Sequence, residues 1–366
     1  MKVLFVSHVA NFQKFNNPYI KWLQSKNCEV HYASQDDEAM EAADCFHKIE
    51  FCRNPFDLSN IKALFQLIKL LKRERYDLIH CHTPVGGILS RAAAIFTPKT
   101  KVIYTAHGFH FFKGAPLKYN LLFKTAERIM AHHTDALVTI NKEDYEAAKK
   151  FRLRKGGKVY YLNGVGVDTK AVRKAAEESG GLREKLGLSE DSFVVLTVAE
   201  LIVRKNYETA LEAFAKADIP GSRYLICGDG TEKDNLKEKC KALGILDKVI
   251  FLGYRRDIYN IIAISDAFLF TSHQEGLPIA LIEAMAGGLP CVVSDIRGNN
   301  ELITADNGFI LKDNDVDGFA EALRTLFNNS SMKTDMGRKC QAAAEQYDIG
   351  ITVEKMGEIY KSILNL

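Results

Sequence analysis

The sequence predicts an α/β protein built from two Rossmann-like domains with parallel sheets. Three observations carry that prediction. The chain has 366 residues, more than one hydrophobic core grows to economically, so two domains are expected. Short β-branched and aromatic runs alternate with helical patterns along the whole sequence, which is the signature of βαβ units feeding parallel sheets. The pattern also restarts, with one series of strands closing near Leu162 and a second opening near Phe193.

In the first half the strand candidates are Lys2–Ser7, Glu29–Ala33, Asp77–Cys81, Lys101–Thr105, Ala136–Ile140 and Lys158–Leu162. Between them, Ile61 to Arg73 places Ile61, Leu64, Phe65, Ile68 and Leu71 at helical spacing, with lysine and arginine elsewhere on the wheel. The second half offers Phe193–Ala199, Tyr224–Cys227, Val249–Leu252, Ala267–Phe270 and Cys291–Ser294, separated by helices such as Tyr207–Ala217 and Ile279–Ala286. The connection Asn163-Gly164-Val165-Gly166-Val167-Asp168 follows a strand and carries two glycines, so the domain boundary is set there. The expected division is 1–165, 166–345, and a C-terminal segment 346–366.

Apolar residues make up 47% of the chain and charged residues 26%, with 8 prolines, inside the globular range. No apolar run approaches the roughly 18 to 20 residues of a membrane helix. The N-terminus lacks a signal-peptide pattern, so a cytoplasmic location is expected. The eight cysteines form no Cys-x-x-Cys pair and read as reduced and mostly buried. Net charge is only +3, yet residues 1–165 hold 25 Lys and Arg against 15 Asp and Glu, and the remainder 24 against 31. Such a split marks either a surface for an anionic partner or two domains of drifting charge.

Open α/β sheets bind ligands beyond the carboxyl ends of their strands. In the first domain those ends carry Ser7-His8, His80-Cys81-His82-Thr83, Thr105-Ala106-His107 and Asn141; in the second, Glu200, Gly228-Asp229-Gly230, Gly253-Tyr254-Arg255 and Thr271 to Glu275. Two such edges facing each other would form an interdomain cleft. The densest constellation is His273-Gln274-Glu275-Gly276-Leu277-Pro278, running into Ile279 to Ala286 and passing Glu283. It reads as strand, loop and helix start, with Pro278 in the first helical turn and the Gly276 and Leu277 amides able to point at an anion. A diphosphate fits there, and the carboxylates of Glu275 and Glu283 would then grip sugar and ribose hydroxyls. The alternative is a pair of ordinary helix-end charges.

Arg204-Lys205-Asn206 lies past a strand, where a fixed cation neutralises a leaving diphosphate or is simply surface charge. Gly228-Asp229-Gly230 is a weak signal for close approach to a ligand, more often just a tight turn. No Gly-x-Gly-x-x-Gly follows the first strand and no P-loop occurs, which disfavours nicotinamide cofactors and ATP. His80 with His82, and His107 with His110, have spacings that metal sites use, but carboxylate or cysteine companions at tight spacing are missing and no metal is assigned. His107 is instead a substrate contact or a satisfied structural histidine. Phe111 to Met130 mixes aromatic and aliphatic residues with Lys113, Lys118, Lys124 and Arg128, a pattern suited to an anionic bilayer surface or to plain helix packing.

Together these residues resemble the large fourth family of retaining glycosyltransferases, which have the GT-B fold of two facing Rossmann-like domains. The resemblance covers nearly the whole chain. It rests on the E-x7-E motif Glu275 to Glu283, supported by Arg204-Lys205-Asn206, Gly228-Asp229-Gly230, Leu252-Gly253-Tyr254 and Asn163-Gly164-Val165. The segments His82-Thr83-Pro84 and Thr105 to His110 look particularly like bacterial capsule and exopolysaccharide transferases. The resemblance implies that Glu275 contacts the donor sugar, Glu283 the ribose and Lys205 the diphosphate, with Gly253, Tyr254 and Arg255 along the base. His107 would sit near the reacting sugar, His8, His82 and His110 on the acceptor side, and the tail Ile351 to Leu366 would cross back to the first domain.

It further implies a nucleotide sugar as substrate, UDP-linked, no bound cofactor or metal, no nucleic-acid partner, and a lipid-linked saccharide acceptor at the inner face of the cell membrane. Two departures stand out: Glu200 replaces an arginine five residues before the diphosphate-binding lysine, with Arg204 offered as its substitute, and the loop His8-Val9-Ala10-Asn11-Phe12 lacks the usual glycines. A UDP-sugar epimerase of related fold and a noncatalytic binding protein remain the competing readings.

Overall fold

A computed structural model describes residues 1–9, 13–36, 42–112 and 116–366. Ala10 to Phe12 and Lys113, singled out above, lie outside the described residues. The chain divides into two compact units, Met1–Gly166 with Ile349–Leu366, and Val167–Asp348.

The first unit runs β1 (Lys2–Val6), α1 (Gln13–Gln24), β2 (Glu29–Ser34), β3 (Cys45–Lys48), α2 (Ser59–Glu74), β4 (Leu78–His82), α3 (Pro84–Ala94), β5 (Lys101–Ala106), α4 (Leu117–Ala131), β6 (Ala136–Thr139), α5 (Lys142–Ala148) and β7 (Lys158–Tyr161). All seven strands are parallel, in the order β3-β2-β1-β4-β5-β6-β7. Val3, Leu4, Phe5 and Val6 are all fully buried, because a central strand covered by helices on both faces reads as a continuous apolar run.

The second unit runs α6 (Thr169–Glu178), α7 (Leu182–Lys185), β8 (Val194–Val198), α8 (Tyr207–Ala217), β9 (Arg223–Cys227), α9 (Lys233–Ala242), β10 (Val249–Gly253), α10 (Ile258–Ala263), β11 (Ala267–Phe270), α11 (Ile279–Ala286), β12 (Cys291–Ser294), α12 (Asn299–Leu302), β13 (Gly308–Leu311), α13 (Val316–Asn328) and α14 (Ser330–Ala344). Its six parallel strands are ordered β10-β9-β8-β11-β12-β13. The last helix, α15 (Ile349–Leu364), belongs to the first unit, where Met356, Ile359 and Tyr360 join a core with Val3, Phe5 and Tyr19. Gly166 holds a φ of 89°, and a Cβ there would lie 2.4 Å from Ile349 Cδ1, so only glycine fits.

Two strands are absent from the sequence reading, β3 and β13. Both are short outer strands, and the register with β2 and β12, rather than a β-branched run, defines them. Pro278 is also corrected: α11 starts at Ile279, so the proline occupies the N-cap with extended backbone instead of the first turn. Neighbouring helices bury a charged pair in the first unit. Arg91 on α3 donates to Glu127 on α4 at 2.8 Å and lies 4.0 Å over the Tyr104 ring, with Arg91 fully buried. Among the described residues no helix is long and apolar enough to cross a membrane.

Candidate active site

Strand order reverses in each unit at one point, between β1 and β4 in the first and between β8 and β11 in the second. There the crossovers leave in opposite directions and open a crevice beyond the strand ends, the favoured ligand position in such sheets. His8 and His82 lie at the first of these places, and Arg204, Lys205 and Glu275 at the second.

In the second unit, β8 leads through Ala199 to Leu201 into a single 3-10 turn, Val203–Lys205, and Asn206 then takes a left-handed backbone, φ 51°, to launch α8. Asn206 is held by its amide to Asn314 Oδ1 at 3.1 Å, and Thr271 past β11 donates to its carbonyl at 2.7 Å. This bracing delivers Lys205 Nζ to Glu275 Oε1 at 2.5 Å. Glu275 is 8% exposed. Arg204 donates to the Gln274 carbonyl at 2.6 Å and reaches Glu275 Oε2 at 3.7 Å, while Arg297 Nε donates to the Glu275 carbonyl at 3.3 Å. The Lys205 ammonium also stands 5.2 Å from the Phe270 ring centre. Two cations therefore meet one carboxylate at the switch point, leaving a surplus of positive charge. Glu200, the departure noted above, is exposed.

The glycines of Gly228-Asp229-Gly230 have a local explanation. A Cβ on Gly228 would fall 1.8 Å from the Ala199 carbonyl oxygen, and one on Gly230 2.4 Å from that of Leu201. The close backbone approach is thus to the loop that carries Lys205, which Leu201 N reinforces by donating to Asp229 O at 2.9 Å. Gly253 ends β10 with φ 65°, Tyr254 is 74% exposed, and Arg255 is locked in two hydrogen bonds to Asp257 at 2.8 and 2.6 Å, which raises its pKa. Glu283 is half-buried on α11; burial first, and then its carboxylate, push the Tyr259 phenol up. Gly276 is half-buried and Leu277 buried, immediately before the α11 N-cap.

Sequence reasoning missed three groups here. Ser272 past β11, Ser294 closing β12 and Asn299 opening α12 are fully buried, and among the described residues Ser272 Oγ, Ser294 Oγ and Asn299 Oδ1 find no hydrogen-bond partner. Serine at a strand end carries no signal by itself; only the shared edge brings them together. His273 pairs with Asp313 at 2.8 Å.

The first unit's edge is built from imidazoles. His82 Nδ1 and His107 Nε2 stand 3.1 Å apart, and the His80 and His82 rings 4.2 Å centre to centre. His80 is committed on both nitrogens, to Tyr360 OH at 2.6 Å and Thr105 Oγ1 at 2.8 Å, which removes it as a metal ligand. Burial lowers all three: His107 to about 4, His80 to about 3, and His82 well below the ordinary range, the last two also through neighbouring imidazoles. These rings are neutral near pH 7. Half-buried His8, also lowered by burial, donates its amide to Thr83 Oγ1 at 3.3 Å, and Thr83 holds φ 63°, a conformation rare for a β-branched residue and characteristic of functional edges. The loop after β5 is pinned where Asp144 accepts from Phe109 N at 2.9 Å. His110 is exposed against the Phe123 ring.

Comparison with known proteins decides the family. Residues 180–343 match the model of glycosyl transferases group 1, and residues 2–141 that of the glycosyl transferase 4-like domain. A putative glycosyltransferase, EpsD of Bacillus subtilis, is 37% identical over 372 residues, spanning 100% of this chain and 97% of the relative. The chain belongs to the group 1 glycosyltransferases. A second relative of this glycosyltransferase is the Escherichia coli UDP-Gal:alpha-D-GlcNAc-diphosphoundecaprenol alpha-1,3-galactosyltransferase, 35% identical over 318 residues, 84% of this chain and 81% of the relative. The crystal structure of Anabaena HepE in complex with UDP and glucose superposes with a TM-score of 0.83 at 20% identity, covering 99% of this chain and 100% of that one. Its likeness places both Rossmann-like units in the GT-B fold.

Proposed function

We propose that this glycosyltransferase moves a hexosyl or N-acetylhexosaminyl group from a UDP-sugar to a lipid-linked saccharide in bacterial capsule or exopolysaccharide synthesis, with retention of anomeric configuration and without a metal ion. The observation that carries the proposal is the contact of Lys205 with Glu275 at the switch point of the second sheet. In the reaction the bond from the anomeric carbon to the diphosphate oxygen breaks and a bond to the acceptor oxygen forms, while the acceptor hydroxyl proton ends on the departing UDP. Negative charge grows on the diphosphate, and Lys205 with Arg204 supplies fixed compensation where it develops. Glu275 then exchanges its lysine for a sugar hydroxyl, Glu283 takes the ribose, and the segment Gly253 to Arg255 with Gly228 and Asn206 frames the nucleotide.

The first unit, with neutral His107, His82, His8 and exposed His110, is the acceptor side. A neutral imidazole there positions a hydroxyl by one hydrogen bond rather than acting as an acid. The relatives' substrates support these classes: one is named for a UDP-sugar and a diphosphoundecaprenol-linked acceptor, and the solved neighbour holds UDP and glucose.

Helix α4 suits the acceptor's membrane. Only Glu127 and Ala131 on it are buried, while Leu117, Leu121, Leu122 and Ile129 are exposed among Lys118, Lys124 and Arg128. Such a face lies on an anionic bilayer, which would make the enzyme peripheral to the inner surface of the cell membrane.

The test is incubation with UDP-sugars, with and without an undecaprenyl-diphosphate sugar, followed by mass spectrometry and by NMR of the new anomeric centre. Expected is an α-linked product, from an α-linked donor, only when acceptor is present, unaffected by chelator. Isomerised UDP-sugar without acceptor favours an epimerase, and unchanged function in Glu275→Ala favours a noncatalytic binder. Charge reversal at Lys118 and Lys124 reduces liposome binding if α4 docks there; undiminished binding refutes that part.

A further inference from the structure

The outer strand β3 brings together a set of donors that the transferase site does not use. Cys45 is the in-register partner of His31 on β2, and His47 follows two residues later, on the same face of β3 as Cys45. The two ring nitrogens and the thiol sulfur all lie within 4.8 Å of one another, with His31 Nδ1 and His47 Nε2 2.9 Å apart. His31 is buried, whereas Cys45 and His47 are half-buried and reachable from solvent.

We propose that His31 Nδ1, His47 Nε2 and the Cys45 thiolate form a zinc(II) site, with water completing the tetrahedron. Zinc–nitrogen bonds of about 2.0–2.1 Å and a zinc–sulfur bond of about 2.3 Å set donor separations of roughly 3.3 to 3.6 Å in a tetrahedron. The two ring nitrogens are slightly closer than this and the thiol lies within 4.8 Å of both, so small side-chain rotations on two paired strands suffice to close the site. Two imidazoles and a thiolate are the donors zinc prefers over calcium or magnesium, which take oxygen.

A second observation points the same way. The other nitrogen of His31, Nε2, donates to Glu29 Oε1 at 2.8 Å. That bond fixes the tautomer, leaves the Nδ1 lone pair facing Cys45 and His47, and is the carboxylate support that metal-bound histidines characteristically have. The Tyr76 hydroxyl, now 2.8 Å from His31 Nδ1 and 3.2 Å from His47 Nε2, gives up these contacts when the metal enters. The exchange involves no redox step: zinc sheds bound waters, and the Cys45 thiol releases its proton to solvent. With β3 two strands away from β1, the ion would staple the sheet's outer strand to β2 rather than take part in sugar transfer.

The full-length chain, freed of metal by chelator, is titrated first with cobalt(II) as a spectroscopic substitute and then with zinc(II). One equivalent of cobalt should produce a thiolate-to-metal charge-transfer band and tetrahedral d–d bands, abolished by zinc, and zinc should raise the unfolding temperature in proportion to its occupancy. Cys45→Ser should eliminate the charge-transfer band and His47→Gln should weaken binding at least about ten-fold, matching about 1.4 kcal/mol, whereas Cys52→Ser should leave both unchanged. Circular dichroism of the metal-free variants verifies that they fold. Absence of stoichiometric binding in folded protein, or a charge-transfer band that survives Cys45→Ser, overturns the assignment.

Discussion

In the first unit the ion pair Arg91–Glu127 is sealed between α3 and α4, and the ligand edge above it is made of imidazoles that burial keeps neutral. In the second unit the pair Lys205–Glu275 stands at the ligand edge itself. The two units share one sheet plan with one switch point each, so the scaffold does not set this difference. It resides in where the charges are carried, on the packed helices α3 and α4 in the first unit and on the loops that leave β8 and β11 in the second. Charge locked beneath a sheet specifies packing; charge carried at the strand ends is available to a substrate.

The sharpest way to break that contrast is to remove one member of each pair. Glu127→Ala strands a buried guanidinium, and the first unit should lose about 3–5 kcal/mol of stability, read by urea unfolding. Lys205→Ala should leave the unfolding midpoint nearly unchanged, because Arg204 still attends Glu275 at 3.7 Å, yet lower sugar transfer by about 10²–10³. If the two variants exchanged phenotypes, the division between structural and functional charge would fail.

Acid probes the imidazole edge. With folded values near 4 for His107 and 3 for His80, against 6.5 unperturbed, the unfolded chain binds protons that the folded chain refuses as pH drops. The contribution is fully present above about pH 6.5 and is lost as pH falls toward 4 and 3, at about 1.4 kcal/mol per unit for each group. His80→Asn should flatten the slope of unfolding free energy against pH in that window. The smallest expected effect is at His107→Gln, where a neutral hydrogen-bonding side chain replaces another. Transfer should drop about five-fold, the scale of one neutral hydrogen bond at about 1 kcal/mol, with no new acid limb in the pH–rate profile.

Much of this was legible in the sequence. The eleven strands recognised there carry β-branched, aliphatic or aromatic runs, most of them buried, and the segment Glu275 to Glu283 with Arg204 and Lys205 pointed to the second unit's edge by its strand, loop and helix-start order, although the same charges also read as ordinary helix-end and surface charge. Cys45-Phe46-His47-Lys48 offered no such run. Its strand exists only through register with β2, and so the His31–Cys45–His47 cluster stayed invisible when histidines were compared by spacing along the chain. Ser272, Ser294 and Asn299 were silent for the same reason: their shared property is a place on the sheet edge, which only pairing between distant strands creates. The glycines at 228 and 230 read more readily as a tight turn than as a close approach, and what they approach, the loop carrying Lys205, was not legible at all.

Helix α15 fills a face of the first unit, and Tyr360 binds His80 across 280 residues of sequence. During synthesis on a ribosome the amino-terminal sheet therefore emerges early and waits, with Tyr19, Trp22 and His80 lacking their final partner until the whole second unit has been made. The usual vectorial order, in which the first domain finishes before the next begins, is closed to this chain. The second unit, continuous from Val167 to Asp348, is free to fold first and hand back the segment that completes its predecessor.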